Sequence, residues 1–415
     1  MARQTARSSA RRTSKRAGLA ALLVLPLALG ACGGGGGSAS SGSSDTLRVL
    51  DYYNSDPNKT LWNDAIEACG KTVGMKISRE SVPGESLIQK VLQQSSSKTL
   101  PDVLMLDNPD VQQIAASGAL APLDDLGIDS SGVADGVLKA STYEGKLYGL
   151  QPVTNTIALF YNKKVLEAAG VTPPTTWDEL KTASAKLTQG EQYGFAMSNV
   201  NTYEGTWQFL PFMWSNGGDE KDIDTPQTAA ALQLVKDLMD SKSLSQSSVN
   251  WTQADVADQF TAGKAAMMIN GPWNFGTLDK VSGLEYGIVP IPVPQAGGKT
   301  VSPFGGEAWT VPQTGDEDKQ KKAAELVQCL NSDDNEVKIS LGTGTVPTKP
   351  ALADQVTSQN PNLKAFADQV PDLRARTGEL GAEWPKAATK IYTAVQNALV
   401  GGMTPEDALK QAQNG

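Results

Sequence analysis

After residue 45, three strand-like runs alternate with two helix-like runs, and this alternation constrains the fold more than any other feature of the chain. Residues 46–53 (TLRVLDYY) and 76–82 have strand composition, and 103–106 (VLML) is a short, continuous apolar run of the kind buried on both faces of a parallel sheet. Between them, residues 57–71 place Leu61, Ala65 and Cys69 four apart, and 84–96 place Leu87, Ile88, Val91 and Leu92 at helical spacing. Strand–helix alternation predicts an α/β fold with a mainly parallel sheet and helices on both faces. Ligands of such sheets sit beyond the carboxyl ends of the strands. That directs attention to Tyr52, Tyr53, Asn54, Asp107 and Asn108.

The pattern continues. Residues 156–161 and 265–269 read as strands, and the Pro-studded 287–293 reads as an edge or crossing segment. Helices are predicted over 164–169, 177–187, 226–239, 253–261, 321–330, 334–341, 385–399 and 405–412. Thr176 and Glu179 form a capping-box pattern at the start of the second of these. The aromatic-rich stretch between Tyr203 and Gly218 shows no clear period and is expected to be irregular.

The start of the chain reads as an address. Residues 1–31 carry six basic residues and no acid, with an apolar run at 19–29 too short to span a bilayer. The run ends Leu29-Gly30-Ala31-Cys32, which resembles the lipobox of bacterial lipoproteins and implies a diacylated Cys32. Residues 33–44 are all Gly, Ser or Ala, a flexible tether. The reading is a signal peptide at 1–31, an anchored tether at 32–44, and a body held at the outer face of the cell membrane. Removing six basic residues from a chain of 36 basic and 45 acidic ones leaves that body at −15. Such acidity argues against nucleic acid and against direct adhesion to anionic lipid. The chain has no His, which excludes Ser-His-Asp and Cys-His catalysis and His-ligated metal. Neither cofactor nor metal is expected. Cys69 and Cys329 are left either as a disulfide or as two buried thiols.

Several stretches in order carry a family resemblance: PDVLMLD at 101–107 followed by GALAPL at 118–123; GKLYGL at 145–150 followed by FYNK at 160–163; PTTWDEL at 174–180; FTAGKAAM at 260–267 running to NGPW at 270–273; and SPFGGEAWTVP at 302–312. Together they resemble the extracellular solute-binding proteins of bacterial ABC importers, in the sugar-binding group similar to maltose-binding protein. The resemblance implies two α/β lobes, each with a mainly parallel sheet, and a ligand cleft between them. It implies one lobe at 45–152 plus 307–345 and another at 153–306 plus 346–415. On that mapping Cys69 and Cys329 share a lobe, which favours the bridge. It also implies a carbohydrate ligand, membrane permease subunits as partners, a monomer, and capture rather than catalysis.

Sugars offer C–H patches to aromatic faces and hydroxyls to paired donors and acceptors. The resemblance puts a stacking aromatic at Trp273. Trp207, Trp309 and Trp384 lie beside turn residues and are further aromatic candidates. Asp107, Asn54, Asn155, Asn270 and Glu307 are the polar candidates, with Glu204 weaker. Asp107, read first as a ligand contact, also fits a helix N-cap or a plain turn residue, and Asn155 and Asn270 read equally as hinge or turn residues. Gly305 and Gly306 are expected to let backbone amides approach a ligand. Two alternatives remain: a secreted glycoside hydrolase using Asp107 and Glu307, or the same fold holding glycerol phosphate through Arg374 and Arg376 or a polyamine in an acidic cleft.

Overall fold

The computed structural model describes residues 45–415. The basic leader, the lipobox-like Cys32 and the Gly/Ser tether lie outside the described residues.

The alternation at the start of the body produces the expected sheet. Thr46–Asp51 pairs in parallel with Lys76–Ser81 on one side and Val103–Asp107 on the other. The helices Asn58–Thr72 and Gly84–Ser97 make the crossovers. Glu307–Thr310 then returns antiparallel against Val103–Asp107 and Gly149–Leu150, completing five strands. The VLML run is wholly buried, as a strand covered on both faces must be.

The second sheet departs from the expectation of parallel pairing. Ala158–Asn162 is its central strand, flanked by Tyr286–Val289 and Met267–Asn270, both antiparallel. Apolar runs report burial and carry no direction, and the long helical excursion between residues 163 and 266 lets the chain return either way. Parallel order survives there only as isolated bridges, such as Ala196 with Met268. The aromatic stretch is also more regular than expected: Tyr203–Ser215 is one helix, with Pro211 inside it. Every residue from Gly205 to Trp214 is buried, so no polar face exists to reveal a helical period. The capping box forms as predicted, with Glu179 N–H donating to Thr176 Oγ1 and the Glu179 carboxylate accepting from Thr176 N–H.

Apolar packing defines two lobes. One core gathers residues from Leu47 to Val153 and from Phe304 to Ile339. The other side is built from two clusters, one centred on the helices Tyr203–Ser215, Pro226–Asp240 and Trp384–Leu399, the other on Phe160, Phe275 and Phe366. Cys69 and Cys329 are bridged, joining Asn58–Thr72 to Glu317–Leu330 within the first core.

The chain passes between lobes in short extended segments bound to one another. Val153–Thr154 pairs with Val346–Pro347, Asn155 with Gly305, and Pro303 with Arg374. Gln151 Nε2 donates to Val153 O (2.7 Å) and Gly305 O (2.9 Å), the Thr154 hydroxyl donates to that same Gly305 O, and the Thr156 and Thr348 hydroxyls donate to Pro303 O and Gln151 O. Gly305 and Gly306 are required by this crowding. A Cβ on Gly305 would sit 2.1 Å from Asn155 Oδ1, and one on Gly306, at φ +116°, 2.1 Å from Gln151 Nε2. The two glycines therefore serve the crossing, where sequence reasoning assigned them to ligand approach.

Candidate functional site

The site forms where strand ends of the first lobe meet the Tyr203–Ser215 helix of the second. Asp51 ends its strand buried, held by Arg79 Nε (2.6 Å) and Nη2 (3.0 Å). The same carboxylate accepts from Tyr53 N–H (2.8 Å), which turns the chain and sets the two tyrosines. Tyr53 stacks on Trp62 at 5.0 Å, and both Tyr52 and Tyr53 hydroxyls donate to the Glu307 carboxylate. Burial pushes the Glu307 carboxyl up, against the lowering effect of those two hydroxyls. Burial and the Glu307 charge push both phenols well above their ordinary range.

Glu307 stands directly opposite Asp107 in the sheet register. Asp107 accepts a two-pronged bond from Arg376, at 2.6 Å to Nη2 and 3.0 Å to Nη1. The Arg376 guanidinium also lies 4.6 Å from the centre of the Trp207 ring. Asp110, in the first turn of the helix Asn108–Ala116, is buried without a hydrogen-bond partner on Oδ1. Its pKa is raised to about 7 by burial and then by Asp107, with Arg376 opposing. Tyr203 faces the same group: burial and the charges of Asp110 and Asp107 push its phenol up. Trp207 Nε1 and Arg376 Nε are likewise buried and unpartnered. The junction thus holds an aromatic face with buried, unpartnered donors on Trp207 and Arg376 and an unpartnered oxygen on Asp110.

Of the residues singled out from sequence, Asp107, Glu307 and Trp207 belong to this junction, and Asn155 borders it through Gly305, whose Cβ position is close to both Asn155 Oδ1 and Trp207. Asn54 is exposed at the turn that follows Tyr53. Three expectations need correction. Trp309 is fully buried beside Trp62 in the first core, because its strand alternation turns Glu307 and Trp309 to one face and carries Trp309 deeper into the lobe. Trp384 is buried in the second core at its helix start. Asn270 is also buried and structural: its Nδ2 donates to Gln253 O (2.8 Å), and its Oδ1 accepts from Gly271 N–H (3.0 Å). Trp273 is half-buried with its ring against Gly271, and no described hydrogen bond or ring contact ties it to the Asp107–Arg376 group. Glu204 accepts from Gln253 N–H (2.8 Å). Arg374 and Arg376, the candidate anion ligands, are both already engaged by carboxylates. Asp110 and Tyr203 join the site without having been candidates; their only local signal in the sequence is their proximity to Asp107 and Trp207.

Asp110 yields a pH prediction. A carboxyl raised from 3.8 to about 7 retains its proton in the folded state after the unfolded chain has lost it. Stability therefore falls as pH rises from about 4 to about 7. Asp110→Asn removes that slope. Relative to wild type the variant should gain stability above pH 7, by about 1–4 kcal/mol at roughly 1.4 kcal/mol per pKa unit, and nothing below pH 4. Urea unfolding at pH 4, 6 and 8 reads this; a wild-type–variant difference that does not change with pH refutes it.

A family model described as bacterial extracellular solute-binding protein matches residues 64–365. A protein of Brucella abortus described as a binding protein is 28% identical over 353 residues, 82% of this chain and 84% of that one. A maltooligosaccharide ABC transporter solute-binding lipoprotein of Streptococcus pneumoniae is 23% identical over 403 residues, 91% of each chain. Among solved structures, an ABC transporter solute-binding protein of Thermotoga lettingae bound with alpha-D-tagatose superposes with a TM-score of 0.80 at 25% identity, covering 89% of this chain and 98% of that one.

Proposed function

Because the chain belongs to the bacterial extracellular solute-binding protein family, we propose that it captures a neutral carbohydrate, a mono- or oligosaccharide, between its two lobes and delivers it to ABC permease subunits. The observation that carries this reading is that the Trp207 ring, the Arg376 guanidinium and the Asp107–Asp110 carboxyls meet at the lobe junction with polar atoms still unpartnered. Trp207 Nε1 and Arg376 Nε want acceptors, and Asp110 Oδ1 wants a donor. A sugar hydroxyl supplies both, beside an aromatic face for ring C–H groups. The names of the Streptococcus and Thermotoga proteins support the same ligand class. Asp107, Glu307, Trp207 and Asn155 are the proposed contacts, joined by Tyr52, Tyr53, Asp110 and Tyr203. Trp273 and Asn54 are proposed as peripheral contacts reached by longer ligands.

The lobes are proposed to divide at 45–152 plus 307–345 and 153–306 plus 346–415. The body acts as a monomer tethered outside the cell membrane by acylated Cys32, a reading supported by the lipobox-like sequence and by the lipoprotein name of the Streptococcus relative. Capture without chemistry fits the geometry. Asp107 and Glu307 are neighbours on adjacent strands of one lobe, so they do not face each other from opposite walls as a hydrolase pair would. An anionic ligand is disfavoured because the cleft guanidinium already carries a bidentate carboxylate.

Calorimetry with maltose, maltotriose, galactooligosaccharides, glycerol phosphate and spermidine tests the proposal. A sugar should bind near micromolar affinity, about −8 kcal/mol, with no product formed on incubation. Binding of spermidine or glycerol phosphate with no sugar binding refutes it.

A further inference from the structure

The segment that pairs with the 302–304 crossing has a two-faced design. Residues 373–375 run extended beside residues 302–304, and Arg376 opens the turn that follows: Arg374 N–H donates to Ser302 O (3.0 Å), and Arg374 O accepts from Phe304 N–H (2.8 Å). Successive side chains of an extended segment point to opposite sides. Leu373 and Ala375 accordingly pack on the first-lobe core, while Arg374 and Arg376 meet Trp214 and Trp207. Those two indoles are seven residues apart on Tyr203–Ser215, two turns along one helix face.

The two arginines are then used differently. Arg374 lies 4.7 Å from the Trp214 ring centre and bonds Asp219 (3.0 Å) and Glu220 (2.9 Å). Trp214 Nε1 donates to that same Glu220 (2.8 Å). Every partner of the Arg374 side chain belongs to the second lobe. Arg376 stacks on Trp207 of the second lobe, but its fork reaches Asp107 of the first, with Asn108 Oδ1 at 3.5 Å.

We infer that Arg376 is a positioning residue for lobe closure, a built-in latch that draws Asp107 and Trp207 together before any ligand arrives. The guanidinium bridges Trp207 of one lobe and Asp107 of the other, and that bridge forms or breaks as the lobes close or open. Release exposes both charges to water, which recovers much of their solvation, so the pair biases the equilibrium without locking it. A larger closed fraction raises apparent affinity in proportion, since the ligand no longer selects a rare conformer. The inference goes beyond the sugar reading and does not depend on the ligand's identity, because its primary readout is ligand-free.

Small-angle scattering of the full chain without ligand tests it. Arg376→Gln and Asp107→Asn should each raise the radius of gyration, and the double variant should open no further than either alone. Arg376→Lys, which keeps the charge and loses the fork, should lie between wild type and Arg376→Gln. Arg374→Gln should scatter like wild type. For whatever ligand binds, Arg376→Gln should weaken apparent affinity about three- to tenfold, in step with the lost closed fraction. Unchanged ligand-free scattering in both Arg376→Lys and Asp107→Asn overturns the latch, even if affinity falls, since Arg376 would then be a ligand contact only. Additive opening in the double variant also overturns it. Should Arg376→Gln fail to fold, by circular dichroism, Arg376→Lys and Asp107→Asn still decide the question.

Discussion

Replacing both Cys69 and Cys329 with Ala should lower the stability of the first lobe by about 3–5 kcal/mol, the largest stability loss we expect from any change away from the lobe junction. The bridged residues are 260 apart in sequence. In the chain-entropy picture, a closed loop of that length restricts the unfolded ensemble by about 5 kcal/mol. The bridge also pins two helices that pack on each other, Asn58–Thr72 and Glu317–Leu330, the second of which reaches the chain only after the excursion through the other lobe. Guanidinium unfolding of wild type with and without reductant, and of the double variant, should show the same loss in both comparisons. Two titratable thiols in denatured, unreduced wild type would contradict the bridge itself.

Trp207→Leu should cut ligand affinity about 100-fold. Leu fills much of the buried volume but removes the flat face. Losing roughly 100 Å² of sugar-to-ring contact at about 25 cal/mol per Å² costs about 2.5 kcal/mol, near two factors of ten. The same change deprives Arg376 of its platform, so any effect on closure adds to the loss. Calorimetry with the tightest sugar of the panel reads the affinity, and thermal melting reads the fold. A variant that melts earlier yet binds the sugar unchanged would show Trp207 to be a core residue and nothing more.

Elements whose cause is local were readable from the chain. The Thr176–Glu179 capping box, the helix predicted from residue 226 and the buried VLML strand all formed where expected. Each depends on a spacing or a turn chemistry confined to a few residues. The helix Tyr203–Ser215 was hidden because it is buried all round, and a hydrophobic period needs a polar side to be visible. Strand direction in the second sheet was hidden because an apolar run is the same read in either direction.

The candidate site divides in the same way. Asp107 and Glu307 were legible as polar residues at the edge of apolar strands. Trp309 and Trp384 carried the same turn-side signal as Trp207, yet they are core residues, since a Trp beside a Gly or Pro faces cleft or core according to how the lobes pack.

The sequence by itself determined the strand–helix order, the helix caps, the basic leader with its lipobox-like end, and the acidic, His-free body, because each follows from residue types a few positions apart. Only the tertiary structure decided that Cys69 meets Cys329, that the two crossing glycines serve packing, and that Arg376 reaches Asp107, 269 residues away. Those contacts arise where two separately built cores are brought together by crossing segments, and no local period or spacing encodes which side chains face each other across that junction.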